Sequence, residues 1–171
     1  HEVVFLPLND IESLEKELSK KDAAAVIVEG IQGVGGLNEG SSEFFRSLER
    51  LCKEYGVILI LDEIQSGYGR SGKFFSFQHH GIDPDIISMA KGMGNGFPVG
   101  GILISNKIKA SYGLLGTTFG GNHLACAAAI SVLDVIEKEQ IMQNVNQVTA
   151  HFLEKIKELG QSGSVKGKGL M

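Results

Sequence analysis

Four short apolar runs alternate with longer stretches of helical period. Residues 23–29 (AAAVIVE), 57–63 (VILILDE), 85–90 (DIISMA) and 99–105 (VGGILIS) are near-continuous aliphatic segments. Such runs are typical of strands buried in a parallel sheet. Elsewhere, apolar positions recur every three or four residues. Ile11, Leu14 and Leu18 follow a cap at Asn9-Asp10. Over "SSEFFRSLERLCKEYG", Phe44, Phe45, Leu48, Leu51, Cys52 and Tyr55 share one face, and Gly56 stops the helix. From Asn122 a helical pattern runs to about Leu159, with a break near Glu139–Ile141. Its second half sets Ile141, Val145, Val148, Phe152, Ile156 and Leu159 on one stripe, predicted to face a core. The order predicts an α/β fold, a mixed and mostly parallel sheet covered by helices. No repeat or linker interrupts it.

Composition narrows the function. The 171 residues are enough for one core of ordinary size. A net charge of −4 offers no basic surface, which argues against nucleic-acid binding through phosphates. No apolar run approaches the ~20 residues of a membrane span. Cys52 and Cys126 form no CxxC pair and both sit in helical patterns, as in a reduced, cytoplasmic protein. No signal peptide is visible. A start at His1 and an end in "SVKGKGLM" suggest a piece of a longer protein. Glycine is in excess, 23 residues against about 12 at the usual ~7%. Most of the excess lies at 30–40, 67–72, 92–101 and 113–121, loops that need positive φ or close backbone approach.

Three apolar runs end on titratable groups: Glu29, Asp62-Glu63 and Lys91. Ligands of open α/β sheets bind beyond the carboxyl ends of the strands, so neighbouring parallel strands would gather these groups at one edge. A lysine partly withdrawn from water loses preference for its charged form, and the neutral amine can form a Schiff base with an aldehyde. A carboxylate such as Asp62, facing a heteroaromatic nitrogen, keeps that nitrogen protonated and makes the ring an electron sink. Together these are the protein half of pyridoxal phosphate chemistry. The loop "GLLGTTFGGNHLACAAA" (113–129) offers Thr117 and Thr118 hydroxyls, glycine N–H groups and a helix start near Asn122, a candidate phosphate site.

Three rivals are weaker. "GYGRSGK" (67–73) fits G-x-x-x-x-G-K, but Phe74 stands where a P-loop needs Ser or Thr, and no strand leads directly into it. Arg70 and Lys73 then read as surface or cofactor-proximal cations. His79, His80, Asp83 and Asp85 are metal-ligand types, yet adjacent histidines point apart, so no metal is expected. An amphipathic interaction helix at 141–159, in a protein without catalysis, would not need both Lys91 and Asp62.

"DEIQSGYGRSGKFF", "PDIISMAKGMGNGFPVGG" and "GTTFGGNHLACAAA", in this order and spacing, resemble the class III aminotransferases of the type I pyridoxal-phosphate fold. The resemblance covers nearly the whole chain and is greatest to the acetylornithine and succinylornithine aminotransferases and their ornithine-handling relatives. It implies that Lys91 carries the cofactor and shuttles a proton. It implies that Asp62 pairs with the pyridine nitrogen and Gln65 hydrogen-bonds the phenolic oxygen. Thr118 would bind phosphate, usually that of the neighbouring subunit, which implies a homodimer with shared sites. Glu29 and Gln32 would line the substrate pocket. The implied reaction moves the ω-amine of an N-acylated ornithine to 2-oxoglutarate in arginine biosynthesis. The alternative is another ω-aminotransferase acting on ornithine or 4-aminobutyrate. Residues 1–160 would be the central part of the large, cofactor-binding domain, and 161–171 the start of a connection to a C-terminal domain. By itself such a piece is expected to be inactive. The family's Val-Glu-Pro-Ile-Gln-Gly-Glu motif is altered here: Gly30 replaces the proline and Val34 the second glutamate, which in ornithine-handling members helps park a substrate-binding arginine.

Overall fold

The computed structural model describes residues 2–109, 111–160 and 164–171. Strand–helix alternation produces α1 (Ile11–Leu18), β1 (Ala25–Glu29), α2 (Ser42–Tyr55), β4 (Ile58–Asp62), β5 (Ile86–Met89), β6 (Gly101–Ile104), α3 (His123–Lys138) and α4 (Ile141–Glu158). A short antiparallel hairpin, β2 (Ile31–Gln32) with β3 (Asn38–Glu39), fits between β1 and α2. The main sheet has the order β1-β4-β5-β6. β1, β4 and β5 are parallel, and β6 is antiparallel to β5. The glycine-rich link from Met89 to Gly101 is too short for a helical crossover, so the chain turns back on itself.

α1, α2 and α3 each begin at a side-chain cap. The Asp10 carboxylate accepts from Ser13 N at 2.9 Å, Ser41 Oγ from Phe44 N at 3.0 Å, and Asn122 Oδ1 from Ala125 N at 3.0 Å. Gly56 ends α2 in the left-handed region at φ 71°. The break between α3 and α4 falls at Gln140, itself left-handed at φ 52°.

The core lies on one side of the sheet. Leu59 and Leu61 of β4 meet Leu14 and Leu18 of α1, Phe45, Leu48 and Leu51 of α2, and Phe75 and Phe77 from the following loop. Truncating one of these buried leucines to alanine typically costs 2–5 kcal/mol. Two expectations need correction. β1 is an edge strand, not a buried one, and Ile27 is 64% exposed. The apolar stripe of α4 faces the core only at Val145; Val148, Phe152 and Leu159 are exposed. Both patterns were read as burial because periodicity shows that a face is apolar, not which partner covers it.

Candidate active site

Register assembles the site. Glu29 is the strand partner of Asp62, and Asp62 is the strand partner of Ser88. Lys91 follows three residues later and opens a 3₁₀ turn, Lys91–Met93. Three groups scattered through the sequence therefore reach one sheet edge, as the carboxyl-end rule predicts. Lys91 is held in the left-handed region at φ 45°, and its carbonyl accepts from both Gly94 N and Asn95 N at 3.1 Å. A non-glycine residue there is uncommon and marks a backbone over-determined by its surroundings. Gly94 permits the tight turn, because a Cβ would strike the Phe97 carbonyl.

A cleft of about 810 Å³ opens beside this turn, within the usual range for small-molecule sites. Lys91, Gln65, Tyr68, Arg70 and Asn95 line it on one side, α3 and α4 on another, and Leu170 and Met171 close an end. The structure corrects one expectation. Lys91 is exposed, so burial within this chain does not withdraw it from water.

The residues around Asp62 are fixed from two directions. Asp62 Oδ1 accepts from Ile64 N at 3.0 Å. Gln65 fits against Gly33, where a Cβ would come within 2.6 Å of its Oε1. Gly33 N also donates to Glu29 Oε2 at 3.2 Å, so Glu29, Gly33 and Gln65 are contiguous. Gln32 is turned into the small hairpin opposite Asn38, and Val34 is almost wholly exposed. Thr118 lies in an exposed stretch and does not line the cleft with Lys91.

Glu63 was paired with Asp62 in the sequence but behaves differently. It is fully buried, and its carboxylate accepts from Ser66 Oγ and Ser76 Oγ at 2.7 Å, Phe77 N at 2.9 Å and Ser76 N at 3.0 Å. Its own N–H donates to Ser88 O at 3.0 Å. Charge-assisted bonds of this number compensate a buried carboxylate. Glu63 thereby ties the loop carrying Gln65 to the ends of β4 and β5. Gly30 belongs to the same arrangement: a Cβ there would collide with Ser76 Oγ. Sequence reasoning missed this anchor because its partners, Ser66 and Ser76, carry no motif.

Tyr68 is the other residue missed. It too is left-handed, at φ 59°. Its ring packs 5.1 Å from that of Phe74, and its hydroxyl lies 3.8 Å from Met89 Sδ. Burial pushes its phenol pKa upward. A Cβ at Gly92 would come 3.1 Å from the Tyr68 Cβ, a tight contact. Tyr68 therefore props the turn that presents Lys91. A left-handed residue between two glycines carries no readable signal in one sequence.

The C-terminal segment closes the site from outside. Leu170 N donates to Arg70 O at 3.0 Å, and Lys168 pairs with Glu39 of the hairpin. Beneath them His80 is buried, stacked 4.3 Å from the Phe45 ring and 3.1 Å from Ser42 Oγ through Nδ1. Burial, with a smaller push from Lys168, lowers its pKa to about 4. His79 meets Ser71 instead, so the two histidines do point apart.

The family model for "Aminotransferase class-III" matches residues 4–171. The chain is 47% identical over 169 residues to the acetylornithine aminotransferase of Aquifex aeolicus, covering 98% of this chain and 44% of that protein. It is 42% identical to that of Bacillus subtilis, covering 98% and 45%. Among solved structures, the acetylornithine aminotransferase of Elizabethkingia anophelis superposes with a TM-score of 0.87 at 35% identity, covering 98% of this chain and 44% of that one. The ornithine δ-aminotransferase of Plasmodium falciparum gives 0.89 at 37%, covering 98% and 45%. The chain thus spans less than half the length of the curated relatives it matches.

Proposed function

Because this chain belongs to the class III aminotransferases, a family of pyridoxal-phosphate-dependent transferases, we propose that it carries the lysine half of an ω-aminotransferase site. The substrate is the ω-amine of an N-acylated ornithine, acetyl- or succinylornithine. The acceptor is 2-oxoglutarate, the pathway arginine biosynthesis and the compartment the cytoplasm. No helix among the described residues is long and apolar enough to cross a membrane. Residues 1–160 act as the central part of the cofactor-binding domain. The connection proposed at 161–171 begins at residues 161–163, which lie outside the described residues.

The observation that carries this reading is the convergence of Lys91 and Gln65 on one cleft, with Asp62 beside it at the strand edge. The residues present fit the cofactor. Lys91 and Gln65 line the cleft with Gly92, which puts no side chain into it, and the Asp62 carboxylate lies at the adjoining strand end. Bound pyridoxal phosphate supplies an electron sink for the carbanion left when the amine-bearing carbon loses its proton. Lys91 would hold the cofactor through Nζ and would move that proton, a role typically worth about 10²–10⁴-fold. Asp62 would pair with the ring nitrogen, and Gln65 would donate to the phenolic oxygen. Glu29, the strand partner of Asp62, and Gln32, on the adjoining hairpin, would line the substrate pocket. Thr118, displayed on an exposed loop, reaches the phosphate in the neighbouring subunit of a homodimer. With Val34 in place of a glutamate, no carboxylate at that position can park an arginine.

Lys91→Ala in the full-length protein tests this. It should abolish the near-visible absorbance of bound cofactor while far-ultraviolet dichroism is unchanged. An unaltered visible spectrum contradicts the assignment. Adding acetylornithine, succinylornithine, ornithine and 4-aminobutyrate separately to the wild type identifies the donor as the one that bleaches this band.

A further inference from the structure

Ser88 interrupts the aliphatic run of β5, and its strand partner is Asp62. Among the described residues, its Oγ is the one buried side-chain nitrogen or oxygen without a hydrogen-bond partner. Such a hydroxyl gives up hydration and receives nothing, so an alanine would fit the strand at lower cost. In-register neighbours project to the same face of a sheet. The Ser88 hydroxyl therefore stands beside the Asp62 carboxylate, on the face away from α1 and α2. That carboxylate has capacity for it. Oδ1 accepts from Ile64 N at 3.0 Å, and no second donor reaches Asp62 among the described residues. The backbones at this pair are clamped, since Ser88 O accepts from Glu63 N at 3.0 Å. Rotation about the Cα–Cβ bond of Ser88 moves its hydroxyl between staggered positions without disturbing the strand.

We propose that Ser88 is a positioning residue for Asp62. Its hydroxyl donates to the carboxylate and fixes the carboxylate's orientation toward the nitrogen of a bound pyridine ring. This rests on the reading of Asp62 as the partner of that nitrogen. The stability cost of the serine is then offset only when the cofactor is held.

Two opposite effects follow in the full-length protein. Ser88→Ala should raise the melting temperature of the apoprotein by about 1–2 °C, because it removes an unsatisfied hydroxyl. It should also raise the dissociation constant for pyridoxal phosphate by about 10- to 100-fold, the value of one neutral-to-charged hydrogen bond. Ser88→Thr keeps the hydroxyl and should restore the wild-type constant. In an Asp62→Asn background, Ser88→Ala should change cofactor affinity by less than about 2-fold. A merely structural serine would lower melting temperature and affinity together, in either background, and that result overturns the inference. So does a Ser88→Ala constant equal to wild type alongside a clear loss in Asp62→Asn. If Asp62→Asn itself binds and turns over normally, the reading of Asp62 fails and takes this inference with it.

Discussion

Glu63 shows how much one buried side chain can organise. Four donors converge on its carboxylate, from Ser66, Ser76 and Phe77, and they fix the loop between the proposed cofactor contacts Asp62 and Gln65. Glu63→Gln puts an amide N–H₂ where only acceptors are wanted. The expected cost is about 2–4 kcal/mol in denaturant unfolding, from lost charged hydrogen bonds and opposed donors. A change below about 0.5 kcal/mol would contradict the anchor role. His80 makes a pH-dependent contribution. Its folded pKa of about 4 lies below the ordinary value near 6.5. The unfolded chain therefore binds a proton that the folded chain refuses, and stability falls as pH drops from about 6.5 to about 4. His80→Gln should remove this part of the pH slope; an identical slope in both proteins would show that His80 protonates freely in the fold.

At the scale of elements, the site is a product of register. Parallel pairing sets Glu29, Asp62 and Ser88 in one row, and the short link after β5 delivers Lys91 at its end. The alternation of apolar runs and helical periods made these elements legible, together with the caps at Asp10, Ser41 and Asn122 and the break at Gln140. Strand ends with titratable residues made Lys91, Asp62 and Glu29 legible as one group. The two-residue strands β2 and β3 were not, because a pair of residues has no period. The exposure of Lys91 was not legible either, since an apolar run before a lysine says nothing of what covers it. Gly30 is an element-scale case. The family's proline is replaced, and the structure supplies a reason: Ser76 occupies the space of any side chain there. Gly30→Ala should destabilise by about 1–3 kcal/mol through overpacking. Combining it with Ser76→Gly should recover part of that loss; strict additivity in the double variant would deny the contact.

At the scale of the molecule, the core covers one face of the sheet and the chemistry sits at its edge. Leu114, Leu115, Phe119 and Leu124, around the exposed Thr118, are uncovered, as are Phe152 and Leu159 of α4. The chain spans under half of its curated relatives, and these faces are among the uncovered apolar surfaces of the described residues. Helical period predicted the α4 stripe to face a core, and the fold leaves Phe152 and Leu159 uncovered among the described residues. The C-terminal segment does the opposite: Gly169 and Leu170 pack on Arg70 and Ser71, and the Lys168–Glu39 pair holds it to the hairpin. The C-terminal residues Leu170 and Met171 thus line the Lys91 cleft. The central claim is that one lysine, at the end of β5, bonds the cofactor. Borohydride reduction of the full-length holoprotein fixes the cofactor to whichever lysine it is bonded to, and peptide mass spectrometry then locates it. The pyridoxyl mass should appear on Lys91 alone; a label on another lysine, with Lys91 unmodified, would contradict the account.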